Sequence, residues 1–456
     1  MGVQYLKKQN NKSKLLKKSI LFQYLIVIFV FGVLLHAPFS LNEGVHISVT
    51  DALFMATSAF TYTGLTTVNI PETFNIVGRI FLVIFLQIGA VGLMSVKAFI
   101  YTLIHKKIST TDRISLATEQ RQYSHTNIIK IIKKSIIILF CVQIFFTILI
   151  GIHLMMFYDF GVLQGLWYGY FHVTAALTNG GFDLFGNSLQ GFRYDYTFQI
   201  LIMIVIVIGG LGFPILVDIY EFIKAKYYKK PYLISLFTKI SLTTTFVLTL
   251  FGFVVLSFTE LRTIYAEYSL IESIFFVLFQ TVSSRSAGLT TMYINSFSQS
   301  GQLVLTFLMF IGAAPASTGG GLRTTTFAII FLYFKSFARS KNDIVAFNRT
   351  IPKETVFNSF MTVCVAFIFM ATAVFLVSFM NPQFTTNQIL FEITSAFGTT
   401  GMTLGISAEL DVLGKLVIAL IMVVGQVGIT TMLLILFEDK SDENLIRYPE
   451  ENVPIG

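Results

Sequence analysis

Charge is scarce in this sequence. Only 12% of its 456 residues are Asp, Glu, Lys or Arg, against roughly 25% in a soluble domain, and the mean hydropathy is +0.74. That shortage argues against an ordinary soluble enzyme and requires much of the surface to face lipid. Cysteine is nearly absent: Cys141 and Cys364 both lie inside apolar runs and read as small apolar residues. The six histidines, at 36, 46, 105, 125, 153 and 172, include no i, i+4 pair of metal-ligand type, so no metal centre is expected. A single Trp stands against 48 Phe, a bias that suits lipid contact or dense helical packing. The net charge of +8, in so apolar a chain, points to a membrane surface, and no zinc-finger spacing or aromatic–basic array speaks for nucleic acid.

What is present is a unit that recurs four times. The segment Thr61-Tyr62-Thr63-Gly64-Leu65 is short, polar and set between two apolar runs. Thr178-Asn179-Gly180-Gly181-Phe182, Arg285-Ser286-Ala287-Gly288-Leu289 and Gly398-Thr399-Thr400-Gly401-Met402 share that setting. In each, a glycine precedes a large apolar residue, and ten positions before that glycine stands another: Phe54, Phe171, Leu278 and Phe391. Self-similarity at a near-constant period is the mark of a repeat architecture.

Each polar segment follows an apolar stretch too short to cross about 30 Å of hydrocarbon at about 1.5 Å per residue. These half helices are predicted at Asp51–Phe60, Leu166–Leu177, Ile271–Val282 and Gln388–Phe397. Thr50 and Asp51 are expected to cap the first, and Thr386 and Asn387 the fourth. Full-length helices enter at Ser19–Leu35, Ile128–Phe157, Leu242–Leu256 and Phe357–Phe379. Others close the units at Asn75–Leu103, Thr197–Ile223, from Leu303 onward, and at Leu413–Phe437. The closing helices repeat a glycine pattern at Gly89, Gly209, Gly312 and Gly425, in near-constant register with the segment glycines. Gly89, Gly92, Gly209 and Gly212 read as close-packing positions.

Loop charge sets the orientation. Lys7, Lys8, Lys12, Lys14, Lys17 and Lys18 precede the first helix with no acid among them. The segments between units carry Lys106, Lys107, Arg113, Arg121, Lys224, Lys226, Lys335 and Arg339. The segments within units hold acids such as Glu43, Asp51, Glu72, Asp183 and Glu267. Cations mark the cytoplasmic side, so both termini are expected inside and the half helices enter from outside.

Non-helical backbone at membrane depth survives only where protein buries it or water reaches it. Four such segments imply one central polar pathway. Glycine at positive φ lets successive carbonyls turn toward an axis, and rings of carbonyls can replace the hydration shell of a potassium ion. Thr61, Thr178 and Thr400 read as scaffold beside those glycines. Arg285 would oppose a cation if aimed inward, so its side chain is expected behind the segment, on an acid such as Glu272 or on a carbonyl. One closing helix is interrupted by Gly312-Ala313-Ala314-Pro315-Ala316-Ser317-Thr318-Gly319-Gly320-Gly321-Leu322-Arg323, where Pro and three successive glycines break a helix. A mobile intramembrane loop obstructing the pathway is expected there, with Arg323 anchoring it or repelling cations.

These residues resemble the Trk/Ktr/HKT superfamily of potassium-translocating proteins, closest to its Ktr-type bacterial membrane subunit. The four segment glycines, the Arg-Ser-Ala-Gly pattern at Arg285–Gly288 and the loop Ser317–Arg323 carry the resemblance. It implies an all-α membrane protein of four tandem helix–half-helix–helix repeats, with eight spans and four re-entrant half helices around a pseudo-fourfold pore. The parts would be a tail at 1–18, repeats at 19–104, 105–226, 227–340 and 341–437, and a tail at 438–456. The resemblance further implies an ion filter at the four segments and a gate at 316–323. It also implies a homodimer in the bacterial cell membrane and a cytosolic nucleotide-binding RCK/KTN ring. No dinucleotide fingerprint follows a strand here, so that ring is expected on a separate protein and no nucleotide on this chain. Gln426 stands where relatives often carry a basic residue, and that is expected to alter gating or selectivity.

Potassium uptake through a fixed pathway is the first functional reading, with sodium as a second candidate ion. An obligatory sodium-coupled transporter with alternating access is the alternative; inverted repeats would favour it, but the four units share one orientation. A membrane enzyme would need convergent acids, bases or nucleophiles, and none stands out.

Overall fold

A computed structural model describes residues 20–104, 108–109, 112–113, 115–116, 128–341, 343–429 and 432. The tails expected at 1–18 and 438–456, and the linker cations Lys106, Lys107 and Arg121, lie outside them. Among the described residues the regular structure is helical apart from isolated bridges and one two-stranded antiparallel hairpin, Val345–Ala346 with Arg349–Thr350. Among the described residues, three helices are each long and apolar enough to cross a membrane: Ile128–Phe157, Leu236–Thr259 and Lys353–Met380. Their most apolar windows are only 33%, 28% and 22% buried, which leaves broad apolar faces outward, as lipid contact requires.

The four half helices run Val49–Phe60, Val162–Leu177, Leu270–Ser283 and Thr386–Gly398. Their starts follow capping chemistry. Ser48 caps the first, accepting from Asp51 N, and Thr385 caps the fourth in a capping box with Gln388. Thr50/Asp51 and Thr386/Asn387 therefore lie just inside the helices that they were expected to cap. The second, expected from Leu166, begins four residues earlier at Val162, with Gly161 at the N-cap position and no side-chain cap.

The closing helices depart from the expectation of unbroken spans. Ile76–Val91 meets Leu93–Thr102 at 89°, and Tyr196–Leu211 meets Phe213–Tyr227 at 103°. Counting each bent pair as one span gives up to five among the described residues, alongside shorter apolar helices including Ile20–His36 and Val412–Val427. The joints are Gly92 and Gly212, with Gly428 ending the fourth closing helix, at φ values of 89°, 88° and 85°. Extended backbone at positive φ is a glycine conformation, so Gly92 and Gly212 are breaks; Gly212 is a close-packing position as well, since a Cβ there would lie 2.8 Å from the Pro315 oxygen. Gly89, Gly209 and Gly425 do pack closely: a Cβ at each would run into the carbonyl oxygen of Phe60, Leu177 or Phe397, at the C-terminal ends of half helices.

The core explains the apolar signature around each segment glycine. Phe54 and Leu65 of the first unit sit in a cluster built mainly by the fourth. Phe171 and Phe182 of the second sit among residues of the first. Leu278 packs against, and Leu289 belongs to, the cluster of the second; Phe391 and Met402 fill that of the third. Each unit thus inserts two large side chains into its predecessor, and the fourth is followed by the first. Burial of this kind contributes about 1.5–3 kcal/mol per large side chain, which makes the ring of units a single packed body.

Candidate functional site

The four segment glycines meet at the centre of that ring. Gly64, Gly181, Gly288 and Gly401 have φ of 89°, 62°, 70° and 90°. A Cβ on Gly64 would lie 2.6 Å from the Gly180 oxygen, and one on Gly181 would lie 2.8 Å from the Ala287 oxygen. One on Gly288 would collide with the Thr400 oxygen, and one on Gly401 with the Thr63 oxygen. At every step a glycine faces the carbonyl preceding the next unit's glycine, and the cycle closes.

Backbone hydrogen bonding fixes which groups face inward. Thr63 N donates to Ser58 O at 2.8 Å, Gly180 N to Ala175 O at 2.7 Å, Gly288 N to Ser283 O at 3.2 Å and Thr400 N to Ser395 O at 2.8 Å. Gly64 N and Gly401 N donate to the hydroxyls of Ser58 and Ser395. The amides are therefore spent on the half helices behind them. Among the described residues, no backbone amide donates to the carbonyls of Thr63, Gly180, Ala287 or Thr400. Buried carbonyls are normally paired with protein or water, so this set is open to a ligand that accepts oxygen donors.

Side chains around the ring turn away from it. Thr61 Oγ1 donates to Thr57 O and pairs with Thr63 Oγ1 at 2.7 Å, and Thr178 Oγ1 donates to Thr174 O at 2.8 Å. The hydroxyls of Ser286, Thr399 and Thr400 are buried without a hydrogen-bond partner among the described residues. Arg285 lies behind its segment, donating from Nη1 to Thr245 O at 3.2 Å and from Nη2 to Gly312 O at 2.9 Å. Of the two partners expected for it, the carbonyl is the one found. Glu272 is occupied elsewhere, closing the capping box with Ser269 at the start of the third half helix.

The interrupted closing helix is where the loop was expected. Helices Gln299–Phe310 and Thr324–Phe337 flank it, and it packs beneath three of the four segments. Thr318 Oγ1 is 3.2 Å from Leu177 O and 3.0 Å from Gly209 O. The amide of Asn179, placed with its oxygen toward Gly210 N and Thr318 Oγ1 at 3.2 Å each, ties the second segment to the same residue. A Cβ on Gly319 would strike Ser286, one on Gly320 would lie 2.5 Å from the Thr399 side chain, and one on Gly321 would lie 3.2 Å from Gly398 Cα. Arg323 folds back on its own loop, donating from Nη1 to the carbonyls of Gly319 and Ala314. Under the first segment, a polar cavity of about 40 Å³ brings Ala316, Ser317, Arg323 and Gln426 together with Tyr62 and Gly92. Gln426 Nε2 donates to Phe60 O at 3.2 Å.

Residues 6–445 match the TrkH family, described as a cation transport protein. The chain belongs to that family. It is 35% identical over 433 residues to "Ktr system potassium uptake protein D" of Bacillus subtilis, covering 95% of each chain. It is 33% identical over 442 residues to "Potassium/sodium uptake protein NtpJ" of Enterococcus hirae, again covering 95% of each, and 31% identical to "Ktr system potassium uptake protein B" of Vibrio alginolyticus, covering 96% of this chain and 94% of that one. The fold is that of the crystal structure of the potassium transporter TrkH from Vibrio parahaemolyticus, with a TM-score of 0.69 at 18% identity, over 91% of this chain and 84% of that one. This TrkH-family chain is a multi-pass membrane transporter, not an enzyme.

Three features of the TrkH-family site had no sequence expectation attached. Gly92 and Gly212 as breaks were hidden because glycine in an apolar helix is also a packing residue. Glu392 and His172, buried inside half helices behind the ring, were lost in apolar runs. The contact of Lys415 with Asp51, at 2.9 Å, joins residues 364 apart in sequence.

Proposed function

We propose that this chain is the membrane-embedded, ion-translocating subunit of a Ktr-like potassium uptake system in a bacterial cell membrane, with both termini cytoplasmic. One observation carries the reading: four glycine segments with inward carbonyls close a single ring. On this reading Thr61–Gly64, Thr178–Gly181, Arg285–Gly288 and Gly398–Gly401 form the ion filter, in which backbone oxygens substitute for the hydration shell of potassium. Four helix–half-helix–helix repeats at 19–104, 105–226, 227–340 and 341–437 make up a pseudo-fourfold pore of eight spans. The C-terminal ends of the half helices point inward from outside, and their dipoles favour a cation there. The loop 316–323, with Arg323 and Gln426 around the cavity beneath, is the gate.

The name of the Enterococcus relative supports sodium as a second permeant or coupled ion. The Ktr names support a multi-component system; on this reading the chain is a homodimer in lipid, regulated by a separate cytosolic RCK/KTN ring that binds the nucleotide. The test is potassium uptake in cells lacking their own potassium systems, comparing wild type with Gly401→Ser and Gly288→Ser. A changed potassium-to-sodium preference sustains the filter. Unchanged affinity and preference hand the function to the sodium-coupled, alternating-access reading.

A further inference from the structure

Nine positions before the segment glycine, the four half helices carry Met55, His172, Phe279 and Glu392, and all four side chains are fully buried. The depth is the same in each unit, yet two occupants are apolar and two are polar. Glycine contacts run from the first unit through the second, third and fourth and back to the first, so the polar pair belongs to opposite sides of the ring.

Each polar member ties the chain leaving its own segment to the half helix behind it. Glu392 Oε1 accepts from Thr403 Oγ1 at 2.7 Å and from Ser407 Oγ, and Thr403 Oγ1 in turn accepts from Gly405 N at 2.8 Å. Thr403 is the second residue after Gly401. His172 donates from Nδ1 to Tyr168 O at 2.7 Å, which leaves Nε2 to accept from Leu184 N at 3.2 Å. Leu184 is the third residue after Gly181. Met55, by contrast, sits within an apolar cluster, as does Phe279; the third unit ties its exit differently, through Ser283 Oγ to Leu289 O.

Packing alone does not account for the pair. Met and Phe fill the same depth in the other two units, and burying a carboxyl group is costly. The cost is greater here because Glu392 Oε2 has no hydrogen-bond partner among the described residues. We infer that Glu392 and His172 are positioning residues that set the ion preference of the ring, by fixing where the chain leaves it on two opposite sides. The inference rests on the filter reading and deepens it: the carbonyls of Thr400 and Gly180 keep their aim because the residues just beyond them cannot move.

The test measures potassium and sodium uptake by the full-length protein in cells lacking other potassium systems, with Gly401→Ser as reference. Glu392→Met keeps the size and removes the acceptor, Thr403→Val removes the one of its two donors that stands nearer the segment in sequence, and Glu392→Gln keeps a carbonyl acceptor. Glu392→Met and Thr403→Val are expected to shift the potassium-to-sodium ratio about fivefold, the scale of one lost buried hydrogen bond, while Glu392→Gln stays near wild type. Should Glu392→Met fail to accumulate in the membrane, Thr403→Val decides. The inference is overturned if both tie-breaking variants lower only the amount of protein or the maximal rate while Gly401→Ser shifts the ratio. An equal shift in Glu392→Gln also overturns it, because charge rather than the tie would then be acting. If Gly401→Ser itself leaves the ratio unchanged, the filter reading fails and takes the inference with it.

Discussion

Arg285 Nη2 donates to the carbonyl of Gly312 at 2.9 Å. Through that bond the third segment of the ring holds the first residue of the loop that interrupts the third closing helix, so ring and loop are mechanically joined. A guanidinium reaches both Gly312 O and Thr245 O because its donors fan out in a plane. Arg285→Lys, a point charge with no such fork, is expected to keep one bond at most and to lower thermal stability in detergent by about 1–3 kcal/mol for the orphaned carbonyl. An unchanged melting temperature would show that the fork is dispensable.

Gly401 has a φ of 90° and faces the Thr63 carbonyl at contact distance. Any side chain there is strained by about 1–3 kcal/mol and pushes the neighbouring carbonyl off its aim. Gly401→Ser should therefore weaken discrimination between potassium and sodium about tenfold, and Gly288→Ser, whose Cβ meets the Thr400 carbonyl, should act likewise. Competition of sodium with rubidium uptake reads this directly.

Arg323 secures the loop by bonding its own Gly319 carbonyl. Arg323→Ala removes that anchor and the positive charge beside the cavity. It is expected to raise the maximal rate of potassium uptake severalfold with the apparent KM little changed, because the ring above is untouched. A fall in rate would assign Arg323 to folding rather than to obstruction.

Gly212 breaks the second closing helix at a φ of 88°, and a Cβ there would lie 2.8 Å from the Pro315 carbonyl of the loop. Gly212→Ala should destabilise by about 1–3 kcal/mol and change the rate of uptake as well, since the strain falls on the loop. Gly191 has open space around it, so Gly191→Ala is the matched control and should do neither.

Lys415 and Asp51 pair at 2.9 Å with side chains 12% and 18% exposed, and they join the fourth unit to the first. A double-mutant cycle with Lys415→Met and Asp51→Asn is expected to return a coupling of about 1 kcal/mol in thermal stability. Additive effects would show that apolar packing alone closes the ring.

The sequence by itself determined the positions of the half helices to within a few residues, because a short apolar run and a following glycine are local signals, whereas their capping residues Ser48, Ser269 and Thr385 emerged only in the structure. It also marked Phe54, Phe171, Leu278 and Phe391, and the interruption at Pro315, since periodicity and a helix breaker are visible without a partner. Tertiary structure decided the rest. Whether Gly92 packs or bends depends on a backbone angle that no residue type dictates. The partner of Arg285 was one carbonyl among many until the third closing helix broke at Ile311 and brought Gly312 beneath it. Glu392 and His172 gained their partners only when the chain beyond Gly401 and Gly181 folded back over the half helices. The cyclic order of the units came from side chains that each unit buries in its predecessor, a contact between residues so far apart in sequence that no local pattern encodes it.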